Sequence, residues 1–188
     1  GLVSETIIKN KKTFSAVSPE KLLEKEKEKM MEIEKSIPKL NVLFKASKEE
    51  TSAELYSNDD VVRMIQKDII KTLKENPGEN LVIGVDEKRF SEIDSIIMEQ
   101  YFEQMKQNNL KERVLVRKGD NYLPGHEKTT TYKFLPKEFF DPTTTFIYGD
   151  KVTIVILDEP IHAIVINSKK IADAYRKQFE ILWKFAKH

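Results

Sequence analysis

A histidine and a lysine two positions apart can attack and hold a phosphate, and this chain sets them so at His126-Glu127-Lys128. In the full H-x-K-x-x-x-x-D arrangement the histidine is the nucleophile, the lysine grips the phosphate, and the aspartate orients a histidine. Five residues beyond Lys128 stands Lys133, not aspartate, so the pattern is incomplete. Of the other histidines, His188 is the last residue, and His162 falls on an expected buried strand. A lone histidine there is more often a satisfied core residue than a ligand. No two histidines have metal-ligand spacing, and the absence of cysteine excludes disulfides, thiolate catalysis and Cys-based zinc sites. Ser4, Ser18 and Ser168 sit in no nucleophile elbow, and no G-x-G-x-x-G or P-loop run occurs. The residues themselves therefore lead us to expect no catalytic residue, no metal and no cofactor. A divergent phosphodiesterase or nuclease using His126 and Lys128 is the competing expectation.

The local basic cluster is Lys9-Asn10-Lys11-Lys12. Three lysines around a two-strand turn can touch nucleic-acid phosphates, although a Lys-rich protein also places lysines in its turns without purpose. Across the 188 residues, 32 Lys and Arg nearly balance 31 Asp and Glu, for a net charge of +1. With 34% charged residues the surface is one of mixed sign, so nucleic-acid binding must be local or belong to another segment. The longest apolar runs are strand-sized, so no membrane partner is expected, and a cytoplasmic location follows. The first residue is Gly1, which leads us to expect a piece of a longer protein.

Several elements must position these residues. Residues 2–9 and 13–17 read as a β-hairpin with a basic tip. Ser18-Pro19-Glu20 starts a helix, with an N-cap, a proline at the first helical position and an acid in the first turn. That helix carries Leu23, Met30, Ile33, Ile37, Leu40 and Phe44, spaced 3, 4, 3, 4 from Met30 onward. A single amphipathic helix packed on its own domain has this pattern, and so does a two-stranded coiled coil. The narrow seam and the charged flanks, with Glu24–Lys27, Glu26–Lys29 and Glu32–Lys35 three apart, favour the homodimer. Pro38 should kink or break the helix.

Beyond a polar linker the composition becomes α/β. Strands are expected over 53–56, 81–85 and 113–116, with Asn58 capping a helix through Val62, Ile65, Ile69 and Leu73 and a single helix spanning Phe90 to Met105. This alternation argues for a parallel sheet with crossover helices. After a polar loop over 118–128 come four more strands, with Gly149-Asp150 as a two-residue turn. A last helix opens at Ser168 and buries Ile171, Ala172, Tyr175, Phe179, Leu182 and Trp183.

Three stretches carry a family resemblance: residues 14–23 after the hairpin; residues 132–136 with 142–152, especially Ile-Tyr-Gly-Asp-Lys-Val at 147–152; and residues 175–183. Over essentially its whole length the chain resembles the TrmB-like family of archaeal transcriptional regulators. The resemblance implies an α/β fold: a phospholipase-D-like mixed sheet flanked by helices, preceded by a β-hairpin wing and a long dimerisation helix. It divides the chain into the end of a winged helix (1–17), a coiled-coil linker (18–45) and a regulatory domain (46–188). Aligning the catalytic motif of active phosphodiesterases of that fold places Pro142, Thr144 and Gly149 where His, Lys and Asp would stand, which implies an inactive fold.

The expected function is therefore a transcriptional regulator fragment and not an enzyme. Its wing (Lys9, Asn10, Lys11, Lys12) would contact DNA backbone, its long helix would dimerise, and its second domain would sense a small-molecule effector, sugars being the family's theme. Double-stranded DNA would be bound by the full-length protein. His126, Lys128, Tyr132, Asp150 and Lys151, on loops or strand ends, are the candidate effector contacts. A structural dimeriser with no ligand is the remaining alternative.

Overall fold

The computed structural model describes residues 3–8, 11–16, 18–46, 51–57, 60–140 and 143–187. The chain divides into two compact units, Gly1–Lys48 and Glu49–His188.

The first unit opens with an antiparallel hairpin, β1 (Val3–Ile8) and β2 (Lys11–Ala16), in register from Val3↔Ala16 to Ile8↔Lys11. The second strand starts two residues earlier than expected, so Lys11 and Lys12 belong to the ladder and not to the turn. Lys12 Nζ pairs with Glu5 at 2.7 Å. Lys9, Asn10 and Asn58 lie outside the described residues, as does the side chain of Phe44.

Helix α1 (Glu20–Ala46) carries Pro38 in its interior without interruption. Of the expected kink or break, the break does not occur. A proline removes one hydrogen bond, and here strong helix formers (Lys, Glu, Leu, Met, Ala) surround it on both sides. Ser18 Oγ accepts from the Glu20 amide at 3.3 Å, and the Lys29–Glu26 pair expected from spacing forms at 2.6 Å.

The second unit is a seven-stranded mixed sheet in the order β3-β9-β8-β7-β4-β5-β6. Its strands are β3 (Ser52–Ser57), β4 (Glu79–Ile83), β5 (Lys111–Arg117), β6 (Thr130–Leu135), β7 (Thr143–Tyr148), β8 (Lys151–Ile156) and β9 (His162–Asn167). Strands β4, β5 and β6 run parallel, and all other pairings are antiparallel. The alternation of expected strands and helices gave the direction of β3 but not its place. It pairs antiparallel to β9 at the far edge, Leu55 opposite Ile164, instead of joining β4. Strands β5 and β6 are joined by residues 118–129 with no helix, a connection just long enough for a parallel crossover.

Helices cover both faces. On one side, α2 (Val61–Glu75), α3 (Glu87–Ile93) and α4 (Ser95–Gln107) bury Ile65, Ile69, Phe90, Tyr101 and Met105 against Val82, Val114, Phe146 and Val155. On the other, α5 (Lys169–Phe185) sets Ala172 and Phe179 on Leu81, Leu115, Ile147 and Val152. The continuous helix expected between Phe90 and Met105 is two helices. Asp94 ends the first and caps the second by accepting from the Ile97 amide at 3.0 Å, which outweighs the apolar periodicity. Ser168 stands at the start of α5 as expected, but its hydroxyl accepts from Thr51 Oγ1 at 2.9 Å and makes no cap bond.

Candidate functional site

Strand β4 ends at Ile83, and the chain turns away through Gly84, Val85 and Asp86. Gly84 is required there: its φ is +76°, and a Cβ would meet the Thr143 carbonyl at 2.8 Å. The turn forms one wall of a cleft of about 340 Å³ outside the carboxyl ends of β4 and β5, where open α/β sheets commonly bind ligands. Arg117 and Asp120 face it from the end of β5, Arg89 from α3, Phe140 and Thr144 from either side of the start of β7, and Leu157 and Asp158 from the end of β8.

Its electrostatics are mixed. Asp120 accepts from the Arg117 amide at 3.2 Å and from Arg117 Nε at 3.0 Å. Asp86 caps α3 by accepting from the Arg89 amide at 3.0 Å, and its other oxygen lies 4.0 Å from Arg117 Nη2. Arg89 Nη2 donates to the Leu157 carbonyl at 2.7 Å. Thr144, buried, donates to the Gly84 carbonyl at 3.3 Å. Thr144, at the lysine position of the phosphodiesterase register, lines this cleft. Gly149, at the aspartate position, lies at the other end of β7, and Pro142 lies outside the described residues. Among the described residues no histidine or lysine lines the cleft, and those that do can grip charged and hydroxyl groups.

Behind Val85, which lines both spaces, an interior cavity of about 30 Å³ holds two buried carboxyls. Glu112 on β5 accepts from Tyr101 Oη at 2.8 Å, Thr130 Oγ1 at 2.9 Å and Asn80 Nδ2 at 3.3 Å. Glu87, the first residue of α3, accepts from Tyr132 Oη at 3.0 Å, and Tyr132 Oη in turn accepts from the Gly125 amide at 3.0 Å. Burial, then the nearby Glu112 charge, pushes the Glu87 carboxyl up to about 8. Burial also raises Glu112, against the hydrogen bonds from Tyr101, Thr130 and Asn80 that favour its charged form.

The five candidate effector contacts do not gather, and none lines the cleft. His126 lines a separate surface hollow of about 430 Å³ beside α4, with Tyr122, Lys106 and Glu103, and its Nδ1 accepts from the Lys128 amide at 3.1 Å. Lys128 is exposed. Tyr132 belongs to the buried carboxyl network. Asp150 is exposed in the β7–β8 turn, where its carbonyl accepts from the Ser168 amide at 2.8 Å. Lys151 Nζ donates to both Asp68 oxygens at 2.7 Å. Sequence reasoning missed Asp86, Arg89, Arg117 and Asp158 because they come from three separate segments. The available signal was weak: a Gly-Val-Asp turn directly after a continuous apolar strand.

Among the described residues no group of three or more His, Cys, Asp or Glu side chains is placed to hold a metal ion. No described helix is long and apolar enough to cross a membrane.

No protein-family model matches the chain, and no curated protein matches it. Solved structures do. A phospholipase D family member, Nuc from Salmonella typhimurium, is similar with a TM-score of 0.48 and 10% identity, over 73% of this chain and 97% of that one. NucT from Helicobacter pylori is similar with a TM-score of 0.49 and 6% identity, over 72% and 98%. TrmBL2, an archaeal chromatin protein whose structure shows a novel mode of DNA binding, is similar with a TM-score of 0.48 and 13% identity, over 100% of this chain and 77% of that one.

Proposed function

We propose that this chain is the dimerising and effector-sensing part of a transcriptional regulator. The observation that carries the reading is the uncovered seam of α1. Leu23, Met30, Ile33, Ile37 and Leu40 are 63%, 63%, 61%, 45% and 60% exposed, on a helix whose remaining positions are largely Lys and Glu. Isolated exposed leucines are ordinary, but a heptad-spaced row of them is a liability that a second copy of the same helix removes. The family resemblance supplies the DNA-binding role, with Lys9 to Lys12 of the hairpin as the backbone contact. The cleft of the sheet unit is the natural seat of an effector. An effector that binds it differently in two arrangements of the dimer would shift the balance between them. The cleft lining supports binding over catalysis, since its polar groups are guanidinium, carboxylate and one hydroxyl already donated to Gly84.

Light scattering on the chain over a range of concentrations tests the reading. A mass near twice 21.9 kDa is expected. It should fall to the monomer on Met30→Glu with Ile33→Glu, while the sheet unit keeps its thermal transition. A wild-type monomer at all concentrations overturns it.

A further inference from the structure

Two charged side chains of the cleft, Arg89 and Asp158, have no oppositely charged partner among the described residues. The Arg89 guanidinium spends one nitrogen on the Leu157 carbonyl, which pins it to the segment that carries Asp158 and leaves its other nitrogens open. Arg117 is anchored at Nε by Asp120 and its Nη2 lies 4.0 Å from Asp86, beyond hydrogen-bond reach, so its terminal nitrogens donate no hydrogen bond among the described residues. Between these groups the lining is apolar: Val85, Leu157 and Phe140.

We propose that the cleft binds a zwitterion with an apolar substituent, the chemistry of a free α-amino acid. The carboxylate would sit on Arg89 and Arg117, the ammonium on Asp158 and the outer oxygen of Asp86, and the side chain against Val85, Leu157 and Phe140. This deepens the reading of the sheet unit as an effector domain and rests on it. Charge decides among the ligand classes. Among the described lining residues three carboxylates stand against two guanidiniums, a slightly acidic balance that disfavours a dianion such as a phosphate monoester. A neutral polyol hydrogen-bonds to either sign but leaves both unpaired charges uncompensated as water is expelled. A zwitterion answers both, and a guanidinium takes a carboxylate by two parallel hydrogen bonds. The volume of about 340 Å³ suits a molecule of that size.

The test is titration calorimetry on the whole chain with L-leucine and L-phenylalanine. Leucinamide, N-acetylleucine, trehalose and inorganic phosphate serve as comparators. Either or both amino acids should bind. Leucinamide, which lacks the carboxylate, and N-acetylleucine, which lacks the ammonium, should each bind at least tenfold more weakly. Arg89→Met and Asp158→Asn should each weaken amino-acid binding at least tenfold. Asp158 is exposed and makes no described side-chain bond, so its variant should fold as the parent does. Neither amino acid binding overturns the proposal, and so does binding of trehalose or phosphate alone. Amino-acid binding unaffected by Asp158→Asn also overturns it, because the site would then lie elsewhere. The oligomeric mass is read separately. A dimer that binds no amino acid sinks this inference and leaves the regulator reading standing, whereas a monomer that binds leucine does the reverse.

Discussion

Glu87 and Glu112 line one interior cavity of about 30 Å³, although the first opens α3 and the second stands near the start of β5. Burial raises Glu112, and the three side-chain hydrogen bonds it accepts work against that rise. Glu87 accepts one, from Tyr132, and is the carboxyl that keeps its proton.

The sign follows from linkage. The Glu87 carboxyl rises from 4.5 to about 8 on folding, so the native state holds a proton that the unfolded chain releases. Its stabilisation is complete below about pH 4.5, declines as pH rises, and is gone above about pH 8. Glu87→Gln fixes the neutral form and should abolish that decline. In urea unfolding the variant should match the parent near pH 5 and exceed it at pH 9 by on the order of 4 kcal/mol. Parallel stability curves for the two proteins would show that Glu87 is ionised in the fold.

Pro38 yields a second prediction. In a helix that runs unbroken from Glu20 to Ala46, proline forfeits a hydrogen bond and crowds the preceding turn. Pro38→Ala should raise the stability of α1 by about 1–3 kcal/mol, read as a higher midpoint of the helical circular-dichroism signal. An unchanged or lower midpoint would mean that the seam needs the local geometry proline imposes.

Elements with a strong local period were legible in the sequence. Val62, Ile65, Ile69 and Leu73 recur at helical spacing and are the buried face of α2, and Gly149-Asp150 is the β7–β8 turn, with Gly149 at φ +50°. What failed to show was long-range. The seven residues of β3 and its flanks say nothing about which edge of the sheet they join, because pairing with β9 is decided by residues more than a hundred positions away. The break at Asp94 was hidden because Phe90, Ile97, Tyr101 and Met105 keep an apolar pattern across it, and only the capping bond reveals two helices. The cleft was invisible for the same reason as β3: Arg117 reaches Asp86 and Arg89 only once β5 lies beside β4, and Asp158 joins them only once β8 lies beside β7 and β7 beside β4. Choosing ligand contacts by their position on loops therefore favoured Lys151, whose ammonium is held by Asp68.

That ion pair sets a third expectation. Asp68 on α2 receives Lys151 Nζ at 2.7 Å on each oxygen and Tyr148 Oη at 2.8 Å, so it ties the start of β8 to the helix layer. Both side chains remain about a quarter to a third exposed, which screens the attraction. Lys151→Met should cost about 1 kcal/mol, and the double variant with Asp68→Asn should cost less than the two single changes added together. Strict additivity would show that the pair contributes nothing.

Arg113 supports the opposite face and gives the last prediction. Its guanidinium donates to Glu180 on α5 through both terminal nitrogens, at 2.6 and 3.2 Å, and to Glu79 through Nε at 2.9 Å. It also lies over the Phe179 and Trp183 rings, 5.1 and 5.2 Å from their centroids. Lysine can replace the charge but neither the planar fork nor the stacking surface. Arg113→Lys should therefore destabilise the sheet unit by about 1–2 kcal/mol, nearly as much as Arg113→Met, which keeps the stem and loses the charge. The comparison separates geometry from charge. If lysine is fully tolerated while methionine is not, the contribution is Coulombic and should weaken with salt. If both variants lose stability alike and salt leaves the loss unchanged, α5 is held to the sheet by the shape of the guanidinium between two carboxylates and two rings.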